Sequence, residues 1–144
     1  MKTTFQQATP ADKPALIDLL QAAKLPISDL PEDLSLFTLA YEGDQLVGSA
    51  GIENLGDCAL LRSVAVAETH QKMGLGRQLQ DHALAYARAH GLVTVCLITT
   101  SAEKYFERLG FQRIERTETP ASIAQTEQFT ALCPGSAVVM RRAL

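Results

Sequence analysis

Ser63-Val64-Ala65-Val66-Ala67-Glu68-Thr69-His70-Gln71-Lys72-Met73-Gly74-Leu75-Gly76-Arg77 decides how the 144-residue chain is to be read. The stretch opens on a short apolar run of strand character, passes through polar residues and two glycines, and then returns to apolar residues at helical spacing. Leu75, Leu79, Ala83, Tyr86 and Ala87 form that stripe, one buried face of a helix. A buried strand that runs through a loop into a helix directs several free backbone N–H groups, and the positive end of the helix dipole, at one point. Such a point suits an anion, a phosphate above all. Gly74 and Gly76 let the ligand approach the backbone closely, and Lys72 and Arg77 add positive charge at the rim.

Working outward, Gly91 stands where the residue after the helix belongs, and Leu92 to Ile98 reads as a buried strand. Strand, loop, helix and strand make a βαβ unit, for which the crossover is expected to be right-handed. Upstream, Leu36 to Glu42 and Gln45 to Glu53 read as strands joined by the tight turn Glu42-Gly43-Asp44. Leu55-Gly56-Asp57 then turns the chain into a third strand, Cys58 to Ala67. Residues 3 to 8 suggest a first strand. Thr9-Pro10-Ala11-Asp12 offers an N-cap, a proline in the first helical position and an acid in the first turn, before a helix ended by Pro26. Downstream, Ser101 caps a short helix through Leu109, Gly110 stops it, and Phe111 to Ile114 begins a strand. Short helical turns over 120–132 and a last strand, Ala137 to Arg142, complete the reading. The pattern is α/β with a mixed sheet, in a chain long enough for one domain spanning 1–144.

Thirteen basic against sixteen acidic residues leave a net charge of −3, without the electropositive footprint of a phosphate-backbone binder, so no nucleic-acid partner is expected. No apolar leader follows Met1-Lys2, and no uncharged apolar stretch reaches the roughly 18 residues that span a bilayer, so no membrane partner and a cytoplasmic location are expected. Cys58, Cys96 and Cys133 are odd in number, far apart and in apolar surroundings, which suits reduced, buried thiols. No local spacing supplies a metal site; a three-thiol metalloid site would need folding to gather all three cysteines.

The phosphate ligand is narrowed by what is missing. Gly76 is followed by Arg77-Gln78 where a nucleotide-hydrolysing P-loop has Lys-Ser/Thr, and Leu79 stands where a dinucleotide fingerprint has its third glycine. On its own, Gly-x-Gly is equally well explained as a tight strand-to-helix turn. Gln71-Lys72-Met73-Gly74-Leu75-Gly76 matches the Gln/Arg-x-x-Gly-x-Gly/Ala pyrophosphate loop of the GNAT superfamily of acetyl-CoA-dependent N-acetyltransferases. Thr99 to Phe111, with Tyr105-Phe106 ahead of Gly110-Phe111, resembles that family's second CoA motif. The likeness covers roughly residues 36 to 114. Within the family, Leu60 to Val66, Leu97 to Thr100 and Phe129 to Ala137 are similar to an arsenic-resistance-associated N-acetyltransferase branch. The Thr99-Thr100 and Tyr105-Phe106 segment is also similar to the acetyltransferase domain of N-acetylglutamate synthases.

The resemblance implies a mostly antiparallel central sheet of six or seven strands with helices on both faces, and acetyl-CoA as co-substrate. It implies a small amine-bearing acceptor of anionic or amino-acid-like character, attacked in a ternary complex, and a homodimer is frequent in the family. Gln71 to Arg77 would hold the pyrophosphate, the backbone of Val64, Ala65 and Val66 the pantetheine arm, and Thr99 and Phe106 its channel. The chain departs from the family at two places. Leu60 stands where a basic glutamate is usual, and Phe106 where a tyrosine often protonates the leaving thiolate. Three residues are then the catalytic candidates. Arg62, two residues from both Leu60 and Val64, shares their face in a regular strand and there would clamp an acceptor's anion. Glu53 is the nearest candidate base, and Tyr105 a candidate acid, although its place beside Phe106 favours the core for Tyr105. Met73 is expected to pack the loop and His70 to act as a spacer. A CoA-binding module without catalysis is the alternative, supported by the missing glutamate and tyrosine.

Overall fold

The computed structural model describes residues 3–25, 27–28, 30–31, 33–56, 58–71, 73–100, 102–124, 126 and 137–144. Seven strands, β1 (Thr3–Gln7), β2 (Phe37–Glu42), β3 (Gln45–Asn54), β4 (Ala59–Val66), β5 (Thr94–Thr99), β6 (Gln112–Ile114) and β7 (Val138–Ala143), form one sheet in the order β1-β2-β3-β4-β5-β7-β6. Among the described residues four α-helices accompany them: α1 (Lys13–Ala22), α2 (Leu75–Ala89), α3 (Glu103–Arg108) and α4 (Ala121–Ala124). β4 pairs with β5 in parallel, while β1 with β2, β2 with β3, β5 with β7 and β6 with β7 are antiparallel. The mixed, mostly antiparallel α/β sheet expected from the sequence is therefore present. The chain divides into two compact units, Met1–Ile52 with Ser63–Tyr86, and Glu53–Arg62 with Ala87–Leu144.

In the first unit β1 runs against β2 from Thr3↔Glu42 to Gln7↔Thr38. β2 turns into β3 through two residues, Gly43 and Asp44, with Gly43 at φ +61°, the left-handed first position that a two-residue hairpin demands. The Thr9-to-Asp12 signal works as read. Thr9 N–H donates to Asp12 Oδ2 at 2.8 Å, and a short 3₁₀ turn, Pro10–Asp12, leads into α1. α1 turns Leu16, Leu19 and Leu20 inward against Ala8, Leu34, Phe37, Leu39 and Ala65. It ends at Lys24, held left-handed at φ +60°, where Leu25 N–H reaches the Leu20 carbonyl at 2.9 Å. Pro26, the expected terminator, lies outside the described residues. Two glycines of β3 let neighbours in: a β-carbon at Gly48 would stand 2.6 Å from Leu79 Cδ1, and one at Gly51 2.5 Å from the Phe37 ring.

In the second unit β4 and β5 share the register Ala59↔Val95 and Leu60↔Cys96. β7 lies between β5 and β6, from Thr94↔Ala143 to Thr99↔Val138 on one side and from Gln112↔Arg141 to Ile114↔Val139 on the other. Cys58, Leu60, Cys96 and Ile123 form a buried cluster, and Arg142 Nη1 donates to the Leu109 carbonyl at 2.8 Å, fastening the turn that follows α3. Of the helical turns expected over 120–132, α4 is present; residues 127–136, Cys133 included, lie outside the described residues. No helix among the described residues is long and apolar enough to cross a membrane.

Candidate functional site

The loop after β4 is built as its composition requires. Ala67 N–H donates to the Val47 carbonyl at 2.8 Å, closing the end of β4 onto β3. A 3₁₀ turn, Glu68–His70, follows, and Gln71 Nε2 reaches back to the Val66 carbonyl at 3.1 Å. Gly74 has φ +76°, with no atom within 4 Å of where a β-carbon would stand. Its carbonyl accepts from Gln78 N–H at 3.1 Å, the first bond of α2. The N–H groups of Leu75, Gly76 and Arg77 belong to the first helical turn, which has no intrahelical acceptors, and the helix dipole is positive there. Leu75 anchors this end in the core, Gly76 is half-buried and Arg77 is exposed. Lys72 lies outside the described residues. Met73, expected to pack the loop, is instead 62% exposed. Leu75 already fills the inward position, at 4% exposure.

His70 is more than a spacer. Its Nε2 lies 2.5 Å from Glu42 Oε2 and its Nδ1 2.7 Å from Thr69 Oγ1, so the start of the loop is tied to the β2–β3 hairpin. The only sequence signal for this is a histidine just ahead of the motif. His82 is on the surface, stacked on Phe5 with ring centroids 4.6 Å apart.

β4 is not a regular strand. Ser63 has φ +55°, a left-handed residue amid extended neighbours, and the fully buried Ser49 hydroxyl donates to its carbonyl at 2.7 Å. The alternation that would put Leu60, Arg62 and Val64 on one face assumes an unbroken pleat, and Ser63 breaks it between Arg62 and Val64. Beyond Arg62 the faces of β4 therefore do not follow simple alternation. Ala65 is buried while Val64 and Val66 are half-buried. Neither Ser49 nor Ser63 stands out in the sequence, because a serine at either place fits an ordinary strand equally well.

In the second unit Arg62 and Glu53, nominated separately, are brought together: Arg62 Nη1 pairs with Glu53 Oε1. The arginine side chain is 1% exposed and the glutamate 22%. The anion that this guanidinium meets is the chain's own carboxylate, which corrects the expectation of an arginine open to an acceptor. Glu53 is the partner that faces out. Thr99 Oγ1 accepts from Ala102 N–H at 3.1 Å and so caps the turn before α3; Ser101, the expected cap, lies outside the described residues. Tyr105 departs from expectation. Phe106 is 8% exposed and packs edge-on against Phe111 at 5.7 Å, whereas Tyr105, expected in the core, is half-buried. Residue 106 faces Phe111 across the turn at Gly110, so its neighbour 105, about 100° round the helix, turns outward. Among the described residues no cluster of three or more His, Cys, Asp or Glu could hold a metal.

A strand that breaks its pleat at Ser63, a loop with a left-handed Gly74 and a helix that begins at Leu75 follow one another in an α/β protein. The sequence then places it more closely. Residues 4–111 match the model of the Acetyltransferase (GNAT) family, and the chain belongs to that family. It is 26% identical over 120 residues to the probable N-acetyltransferase camello of Xenopus tropicalis, a match covering 78% of this chain and 53% of that protein. The chain thus spans about half the length of this curated relative. In fold it is similar to N-acetylglutamate synthase from Neisseria gonorrhoeae complexed with coenzyme A and N-acetyl-glutamate, with a TM-score of 0.85 and 22% identity over 100% of this chain and 35% of that one. It is also similar to a GNAT-family acetyltransferase of Staphylococcus aureus Mu50, with a TM-score of 0.80 and 19% identity over 99% of both chains.

Proposed function

We propose that the chain is a cytoplasmic acetyltransferase domain that moves acetyl from acetyl-CoA to the amine of a small, anionic or amino-acid-like acceptor, by direct attack in a ternary complex. The observation that carries this reading is the loop from Gln71 to Gly76. Gly74 is left-handed with space where a β-carbon would stand, and α2 begins at the next residue with first-turn N–H groups that lack intrahelical acceptors, which is what a pyrophosphate needs. The family to which the chain belongs supports acetyl-CoA as the pyrophosphate's bearer. The likeness in fold to an enzyme complexed with N-acetyl-glutamate supports an amino-acid-like acceptor. The finer likeness to an arsenic-resistance-associated branch, read from the sequence, adds an arsonate or phosphonate group to the anions worth trying. Beyond Ser63, the backbone of Val64 to Val66 would hydrogen-bond the amides of the pantetheine arm.

Attack on the thioester needs an uncharged amine and a proton for the departing thiolate. Glu53, partly exposed, would take the amine's proton directly or through water, with Arg62 orienting it from behind. Tyr105, the more exposed of the aromatic pair, would supply the thiolate's proton. Thiol release from acetyl-CoA, screened over amino acids and their phosphonate and arsonate analogues, tests the reading. Arg62→Lys then separates two roles, because lysine keeps the charge and loses the two-pronged geometry. If Arg62 orients Glu53, kcat falls and acceptor KM holds; a raised KM at constant kcat would return Arg62 to the acceptor's anion. CoA binding with no thiol release for any amine would favour the non-catalytic module. That second reading has its own support in Leu60, wholly buried where the family has a base, and in the buried Phe106.

A further inference from the structure

We infer that Ser49 is a positioning residue for the cofactor arm: its hydroxyl holds the left-handed bulge at Ser63 and so sets the direction of the β4 backbone that follows. This rests on the reading of Val64 to Val66 as the pantetheine-binding run. A serine at φ +55° inside a strand is in a conformation that L-residues avoid, and it persists only where surroundings over-determine it.

What over-determines it is local and buried. Ser49 on β3 is completely shielded from solvent, and its Oγ–H donates to the Ser63 carbonyl at 2.7 Å. A left-handed residue turns its carbonyl out of the strand's ladder, and a buried carbonyl without a donor is strongly disfavoured. The serine hydroxyl supplies that donor. Its neighbour on β3, Gly48, leaves room for Leu79 at 2.6 Å and for the Ala65 carbonyl at 3.4 Å from a would-be β-carbon, so α2 and the end of β4 sit tightly against β3 just beyond the bulge. Two adjacent residues of β3 thus shape β4, one by what it lacks and one by the bond it makes. Without the hydroxyl, the strand gains by returning Ser63 to extended geometry, which shifts the pleat by one residue. Val64 to Val66 would then exchange the faces on which their N–H and carbonyl groups point.

The loop from Gln71 to Gly76 starts after Ala67, which is fastened separately to Val47, so losing the bulge leaves the pyrophosphate end intact. Two probes read the two ends: 3′-phospho-ADP, which carries the pyrophosphate and no arm, and acetyl-CoA, which carries both. In Ser49→Ala, acetyl-CoA affinity should fall about tenfold while 3′-phospho-ADP affinity changes less than twofold, and the Ser63 carbon chemical shifts should move from left-handed to extended values. Ser63→Gly removes the strain, because glycine accepts this φ freely. The double variant Ser49→Ala/Ser63→Gly should therefore recover most of the acetyl-CoA affinity, and folding too if Ser49→Ala alone folds poorly. Left-handed Ser63 shifts persisting in Ser49→Ala, or a double variant no better than the single one, would overturn the inference. Wild-type protein that fails to bind 3′-phospho-ADP would instead sink the CoA reading, and the Ser63 shifts would still decide whether Ser49 holds the bulge.

Discussion

Gly74 and Gly76 share a motif but have different reasons to be glycine, and alanine at each should separate them. Gly74 is left-handed at φ +76°, while Gly76 is the second residue of α2 and has ordinary helical geometry. Holding alanine left-handed costs about 1–2 kcal/mol. The stiffer unfolded chain returns part of that, up to about 1 kcal/mol, so Gly74→Ala should lose about 1 kcal/mol of stability. In a chain of this length that lowers Tm by about 4 °C. If the loop relieves the strain by turning, one charge-assisted hydrogen bond to the pyrophosphate is lost, worth about 1.5–3 kcal/mol, or roughly 10- to 150-fold in CoA affinity. Gly76→Ala goes the other way: alanine exceeds glycine in helix propensity by about 0.5–1 kcal/mol, so Tm should rise by 2–4 °C. Its CoA affinity should stay within about threefold, as the helical backbone already presents its N–H outward. Thermal melts and CoA titration calorimetry on the two variants suffice. Equal losses of affinity, or a Gly74→Ala protein that melts and binds like the wild type, would refute the division of roles.

Two further predictions concern α1. Burial pushes the Asp12 carboxyl up, but hydrogen bonds from the Tyr41 hydroxyl at 2.6 Å and from Thr9 outweigh it and hold it below the ordinary carboxylate value. This stabilisation is present above the unfolded-state pKa and is lost as pH falls through the lower folded one, so Tyr41→Phe should flatten the acid limb of stability against pH. Tyr41 itself is pushed up to about 12 by burial and by the Asp12 carboxylate. Its contribution is complete below the usual tyrosine value and disappears as pH climbs toward the folded one; denaturant melts across both limbs check the pair. Lys24, exposed and left-handed at φ +60°, should accept glycine with a gain of about 1 kcal/mol in urea unfolding, and a loss there would show that its side chain contributes more than its backbone costs.

Local chemistry made much of this fold legible. Thr9-to-Asp12 capping, the Gly43-Asp44 hairpin and the Leu75-to-Ala87 stripe each depend on residues a few places apart, and each stands within a residue or two of where the pattern put it. The strand, loop and helix from Ser63 to Arg77 are legible for the same reason. What stayed hidden depends on register. Arg62 meets Glu53 nine residues away and His70 meets Glu42 twenty-eight away, pairings set by how strands align and not by any run of types. Ser63 hid more completely, since one backbone torsion inverted the face argument built on Arg62 while leaving the sequence pattern untouched. Met73 suits packing as a methionine beside an apolar helix start, yet Leu75 already fills that position.

The position of β7 between β5 and β6 sets a timetable for biosynthesis. β5 and β6 leave the ribosome first, yet among the described residues no ladder joins them to each other; both hydrogen-bond to residues 138–143, made some 25 residues after β6. Until that segment emerges, β6 has no strand beside it and the far edge of β5 is bare, the state in which unpaired strands recruit wrong partners. Closure of this half of the sheet must therefore be a late insertion, a strand sliding between two waiting neighbours, and loop-closure entropy makes such non-local pairing slow. A nascent chain exposed past Tyr86 but short of Val138 would carry every residue of the first unit while the second waits open, a natural substrate for chaperones.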